Sequence, residues 1–305
     1  MTGVLAGFAT IAVIIGLGML LAHTGVIDEA GQRTLSAVAF FLASPALLFT
    51  VLQDNDVERI FSGTLVAVVA GVVATVSVTA TVARLRREEL GRTVIASMCS
   101  SYCNAGNLGL PIAAYVLGDA ALIAPVLLLQ MLVLQPLALT VLDVAASPTR
   151  PSWSRVVTRP LRNPITVASI AGVAVALSGV TVPAAVNDPL ALVGGMAVPS
   201  MLLAYGVSLR LGPLPGRGVP PGELGLAVGL KLLVQPAAAY AVGLAVGLED
   251  AALLAVAVIS ALPTAQNVFV IAGRYGRAEL LARDAIFVST LGCVPVVLGI
   301  VALLA

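Results

Sequence analysis

An apolar segment of this chain is interrupted at residues 101–118, where Asn104, Gly106, Asn107, Gly109 and Pro111 crowd together. The asparagines supply neutral amide donors and acceptors. The glycines let a ligand or a second backbone approach closely, and Pro111 removes a backbone donor that a continuous helix would need. A half-helix starting near Pro111 would aim its partly positive end at the centre of the protein. A second stretch, residues 260–276, carries Pro263, Gln266 and Asn267 in a similar setting. Two partly positive helix ends converging among side-chain amides suit an anionic group, typically a carboxylate. A packing kink would account for one such interruption, since proline and glycine are common in membrane helices. Two asparagine-bearing interruptions in matching positions favour binding.

Other polar side chains sit on apolar spans. Gln130, Gln135 and Gln235 either face the bound molecule or join helices by hydrogen bonds. A lysine near the bilayer centre costs about 2.5–3.5 kcal/mol, so Lys231 needs a reason to be there. It serves as a counter-charge to the anion, pairs with Asp143, or snorkels towards the cytoplasm. His23, at a span end, reads as interfacial, and Arg283-Asp284 reads as a solvated helix start. Neither interrupted span holds a carboxylate or histidine, which leaves a proton relay without a carrier. A P-loop, an HExxH motif and a mid-membrane aspartate pair are all missing, so neither ATP-driven pumping nor intramembrane proteolysis is indicated. Cys99, Cys103 and Cys293 show neither metal-ligand spacing nor a disulfide framework and read as buried, inert thiols. No catalytic residue, metal or cofactor is expected.

The elements that must position these residues are membrane helices. The 305 residues are 59% hydrophobic and 10% charged, with a mean hydropathy of +1.07. Soluble domains carry roughly 25% charged residues, so the expected surroundings are a lipid bilayer. A net charge of +1 gives no case for a nucleic-acid partner. Ten spans are expected, at 4–22, 34–52, 62–83, 93–117, 120–146, 165–180, 189–209, 224–247, 251–272 and 284–305. The first lacks a preceding Lys or Arg and reads as a retained span rather than a signal peptide.

The polar connection at 147–163 divides the chain into two five-helix halves, 1–146 and 164–305. SPALL from Ser44 matches VPSMLL from Val198, and LPIA from Leu110 matches LPTA from Leu262, in the same order in both halves. Five spans is an odd number, so the halves enter the membrane from opposite sides as inverted repeats. Fourteen arginines fall on one side of this arrangement and only Arg59 on the other. Short basic loops stay cytoplasmic, which places the 147–163 linker inside and both termini outside.

On NAGNLGLP from Asn104, ALPTAQNVFVIAGRYG from Ala261 and STLGCVPVVLGIVALL from Ser289, the chain resembles the auxin efflux carrier family across nearly all ten spans. Asn104, Gly109 and Pro111 match the first crossover motif of that family, and Pro263 matches the second. Plant carriers have a further proline where this chain has Val268, so the second hinge falls at Pro263 or Val268. The resemblance implies broken helices 4 and 9 crossing at the substrate site. It also implies a scaffold part of spans 1, 2, 6 and 7 and a transport part of spans 3–5 and 8–10. Elevator-type alternating access, a homodimer and small carboxylate substrates in the plasma membrane go with it. The long cytoplasmic loop of many plant carriers is missing. The related bile acid:sodium symporter architecture is the alternative, with sodium as a coupling ion.

Overall fold

The computed structural model describes residues 2–53, 63–109, 112–113, 116–146 and 164–304. Arg59, Pro111 and the linker arginines Arg150, Arg155, Arg159 and Arg162 lie outside them. The described residues are helical apart from turns and one isolated β-bridge. The helices are α1 (Thr2–His23), α2 (Glu29–Gln53), α3 (Gly63–Leu85), α4 (Leu90–Ser101), α5 (Pro125–Ala145), α6 (Pro164–Ser178), α7 (Ala184–Leu211), α8 (Pro221–Ala245), α9 (Asp250–Ser260), α10 (Asn267–Tyr275) and α11 (Glu279–Leu304). Among the described residues, α2, α3, α5, α7, α8 and α11 are continuous helices long and apolar enough to cross a bilayer.

Prolines shape three of these helices in one way. Pro45, Pro136 and Pro236 each follow a π-helical turn, at Ala39–Ala43, Gln130–Leu134 and Leu230–Val234. A proline offers no amide, and its ring displaces the carbonyl four residues back. The ladder therefore reaches back five: Ser44 N–H donates to the Ala39 carbonyl, Gln135 N–H to Gln130, and Gln235 N–H to Leu230. The widened turn changes which side chains face the interior. Phe40, Gln130 and Lys231, one from each turn, are buried.

Packing falls into two groups. In one, α1 lies on α7 and α2 on α6 and α7; in the other, α8 lies on α3 and α9, α3 on α4, and α4 on α5. Contacts between the groups are sparser and run chiefly through α2, α7 and α10. Lipid offers no hydrophobic drive for helix association, so small residues that admit a second backbone matter here. A Cβ at Gly206 would collide with the Ile15 carbonyl, and one at Gly18 with the Leu203 carbonyl. Gly206→Val is therefore expected to force α1 and α7 apart and destabilise the fold by about 1–3 kcal/mol. Thermal unfolding in detergent measures this, with Gly225→Ala as control, since a Cβ at Gly225 meets nothing within 4 Å. Equal midpoints for the two variants would refute the close crossing.

Ion pairs tie helix ends that carry arginines. Arg277 reaches Glu89 at 2.9 Å and Arg92 pairs with Glu223. Tyr275 OH donates to Asp143 at 2.8 Å, and Arg210 lies 2.9 Å from His23 Nδ1. The ends of α1, α5, α7 and α10 and the starts of α4 and α8 thus join in local pairs.

Candidate functional site

Helix α4 stops at Ser101 and α9 stops at Ser260, and the extended segments that follow cross. Cys103 and Thr264 face each other as an antiparallel bridge. Asn104 N–H donates to the Pro263 carbonyl at 2.8 Å, and Ala265 N–H donates to the Tyr102 carbonyl at 3.1 Å. Backbone groups in hydrocarbon must be satisfied inside the protein, and the two interruptions do this for each other. Side chains complete the accounting. Gln130 Oε1 accepts from Cys103 N–H at 2.7 Å, and Ser289 Oγ accepts from Thr264 N–H at 3.0 Å. Thr264 Oγ1 donates to the Cys99 carbonyl at 2.6 Å. After the crossing the first segment enters a π turn, Ala105–Gly109, and the second enters α10.

A cavity of about 110 Å³ opens beside the crossing. One wall is polar, with Tyr102, Asn104, Gln130, Gln135, Gln266 and Asn267. Gln135 Oε1 organises it, accepting from Tyr102 OH at 2.8 Å and from Asn267 Nδ2 at 3.1 Å. The N-terminus of α10 belongs to this wall: Ala265, Gln266 and Asn267 line the cavity, and no side chain among the described residues caps the helix start. The facing wall, from α2, α6 and α7, is mainly apolar, with Phe40, Leu47, Leu48, Ile165, Val198 and Met201. Among the described residues, no charged side chain lines the cavity. Its chemistry is a set of neutral amides, a phenol and a helix start, able to hold a small anion without a fixed counter-ion. A second cavity of about 500 Å³ adjoins it, sharing Phe40 and Val270, and is lined by Arg33, Arg274 and Arg283 with Glu29 and Glu279. The Arg274 guanidinium lies 4.9 Å from the centre of the Phe41 ring.

Of the residues expected from sequence, Asn104, Gly106, Gln130, Gln266 and Asn267 line the central cavity, and Gly109 and Pro263 do not. Gly109 serves packing instead, because a Cβ there would strike Ile123. The Asn107 side chain and Pro111 fall outside the described residues. Val268 is not at the second break: residues 261–266 form it, and Val268 is buried in α10. Pro263 lies in the crossing segment itself.

Lys231 does not line the cavity, pair with Asp143 or snorkel. It is fully buried, and its ammonium donates to Gln235 Oε1 and the Ser260 carbonyl, each at 2.7 Å. Arg283 and Asp284 are fully buried as an ion pair at 2.6 Å, not solvated. Tyr102 and Ser289 were not singled out from sequence. Tyr102 directly follows α4, and a polar-tipped aromatic at a helix break is the signal it carried.

Residues 4–301 match the family described as membrane transport protein. The chain belongs to this family. It is the family of the auxin efflux carriers, so this chain is a multi-pass membrane transport protein and not an enzyme. A protein of Rhizobium meliloti (strain 1021) named "Putative malonate transporter" is 28% identical over 301 residues, covering 95% of this chain and 92% of that one. An "Uncharacterized transporter" of Methanothermobacter thermautotrophicus (strain ATCC 29096 / DSM 1053 / JCM 10044 / NBRC 100330 / Delta H) is 26% identical over 286 residues, covering 92% of each.

Proposed function

We propose that this membrane transport protein is a secondary transporter of small organic anions, carboxylates in particular, that works by elevator-type alternating access in the plasma membrane. The observation that carries the reading is the central cavity: two interrupted helices cross beside it, and one wall is polar while the other is apolar. A polar wall that holds the substrate can slide along a greasy wall without breaking hydrogen bonds to it. The packing groups fit that division, with α1, α2, α6 and α7 as scaffold and α3–α5 with α8–α11 as the moving part. Ten helices in two inverted halves, 1–146 and 164–305, complete the architecture, and a homodimer would anchor the scaffolds. The arginine-lined cavity next to the central one supports an inward-open state with both termini outside.

Size argues for the cargo. Drug-sized ligands occupy pockets of about 300–1,000 Å³, whereas this one is about 110 Å³. That suits a short mono- or dicarboxylate, in keeping with the malonate in the name of the Rhizobium relative, and disfavours a bulky amphipath of the bile acid kind. An inside-negative potential favours exit of an anion by about 2.3 kcal/mol per charge per 100 mV, so efflux needs no coupling ion. In proteoliposomes loaded with radiolabelled malonate, efflux is expected to accelerate when an inside-negative potential is imposed. Flux indifferent to potential and dependent on sodium would refute this reading.

A further inference from the structure

Helix α3 presents one exposed stripe, Val66, Val73, Ser77, Thr81 and Arg84, at steps of seven, four, four and three residues. Such steps keep to one face of a helix, and on a helix that crosses a bilayer the exposed face meets lipid. That face ends in the basic turn RLRR, residues 84–87, with Leu85 79% exposed. The acids beside the turn are taken: Glu88 pairs with Arg92 at 3.2 Å and Glu89 with Arg277 at 2.9 Å. Arg84, Arg86 and Arg87 are all exposed, and among the described residues their side chains have no ion pair. The backbone adds an independent mark. Glu88 N–H donates to the Ala83 carbonyl at 2.9 Å and Arg87 N–H to the Arg84 carbonyl at 3.1 Å, a common helix ending. This ending puts residue 87 in the left-handed region, at φ 56°, which favours glycine. Helix α8 ends in the same motif with Gly247, and residues 246–249 hold no basic side chain. At the end of α3 a third cation stands where conformation alone would select glycine.

We propose that Arg84, Arg86 and Arg87 form a binding site for the headgroup of an anionic phospholipid, with Leu85 and Leu90 against its acyl chains. Guanidinium groups take phosphate oxygens in paired hydrogen bonds, and basic residues beside a membrane helix are drawn to an anionic lipid surface. Leu85 and Leu90, 79% and 50% exposed, flank the arginines and supply the apolar side of the same site. Neutralising the end of α3 itself takes roughly half an elementary charge, which leaves most of the three cations over. The site needs only the membrane helices and no cargo, so it stands apart from the transport reading above.

The test follows thermal unfolding of the full chain in detergent as phosphatidylglycerol, phosphatidylcholine or inorganic phosphate is added. Phosphatidylglycerol is expected to raise the midpoint by at least about 5 °C over phosphatidylcholine, as a ligand bound only to the folded state requires. Inorganic phosphate at the same concentration should move it by less than about 1 °C. The triple variant Arg84→Gln, Arg86→Gln, Arg87→Gln should lose the difference between the two lipids. The corresponding triple lysine variant should keep most of it, since an ammonium binds phosphate as a point charge. Arg217→Gln removes one exposed arginine from the loop after α7 and should leave the difference intact. Arg87→Gly suits the backbone of the turn, so it should fold as well as wild type in phosphatidylcholine while losing part of the response to phosphatidylglycerol. Equal shifts with the two lipids, or a full response in the triple glutamine variant or in Arg87→Gly, would overturn the proposal. So would an Arg217→Gln loss as large as that of Arg87→Gly, which would mark a general effect of charge. A full shift from inorganic phosphate would assign the turn to a free anion and overturn the lipid site.

Discussion

Arg283→Met is expected to destabilise the protein by about 3–5 kcal/mol, the range for removing one partner of a buried ion pair. Arg283 and Asp284 are both fully buried. Arg283 Nε donates to Asp284 Oδ1 at 2.7 Å, and Asp284 Oδ2 accepts from Gly216 N–H at 2.8 Å. Without the guanidinium, Asp284 is left as a buried carboxylate that, among the described residues, keeps only the Gly216 N–H as a donor, and uncompensated burial dominates the loss. The midpoint of thermal unfolding in detergent should fall by roughly 10 °C. Arg283→Met combined with Asp284→Leu should recover part of that, because no charge is then buried. Recovery is incomplete, since Gly216 N–H loses its acceptor. A shift under about 2 °C for the single variant would show that water reaches the pair. The cluster also joins the two packing groups: Tyr205 OH, on α7, donates to the Arg283 carbonyl at 2.9 Å. Loosening it should therefore raise proteolytic nicking in the 212–220 loop as well.

This pair shows where sequence reading stops. Adjacent charges at the start of an apolar span look the same whether water or a loop covers them. Here the glycine-rich connection after α7 folds over them, and a Cβ at Gly212 would collide with the Arg283 guanidinium. Glycine at that position was the available signal, and it is interpretable only once the loop's path is known. Lys231 is a similar case. Its depth in the membrane follows from counting residues, but its direction depends on a π turn that Pro236 induces five residues later. A regular helical wheel would aim it elsewhere.

The interruptions themselves were legible because glycine, proline and asparagine at hydrocarbon depth leave few structural options. Their partner contacts were not. Asn104 pairs with Pro263 and Ala265 with Tyr102 through backbone atoms alone, and backbone pairing across more than half the chain leaves no side-chain pattern to read. Pro45, Pro136 and Pro236 stand in plain view in the sequence, but the π turns they create, which swing Phe40 and Gln130 into the interior, depend on hydrogen-bond register.

Because the crossing is held by backbone, Asn104→Ala is expected to separate function from folding. Asn104 gives its N–H to Pro263 and its carbonyl to Leu108 and Gly109, at 2.8, 3.3 and 3.0 Å, and alanine keeps all three. What it removes is one amide of the polar wall. A hydrogen bond to a charged group contributes about 1.5–3 kcal/mol, and 1.4 kcal/mol is tenfold in affinity. Malonate flux at sub-saturating concentration should therefore fall roughly 10- to 100-fold, with the unfolding midpoint within about 2 °C of wild type. Gln130→Ala provides the contrast. Its Oε1 is the acceptor for Cys103 N–H at 2.7 Å, so truncation leaves a buried backbone donor unmatched at a cost of about 1–3 kcal/mol. That variant should lose stability and flux together. If Asn104→Ala transports normally, the anion is not held at this wall. If it unfolds as readily as Gln130→Ala, the backbone crossing does not stand without that side chain.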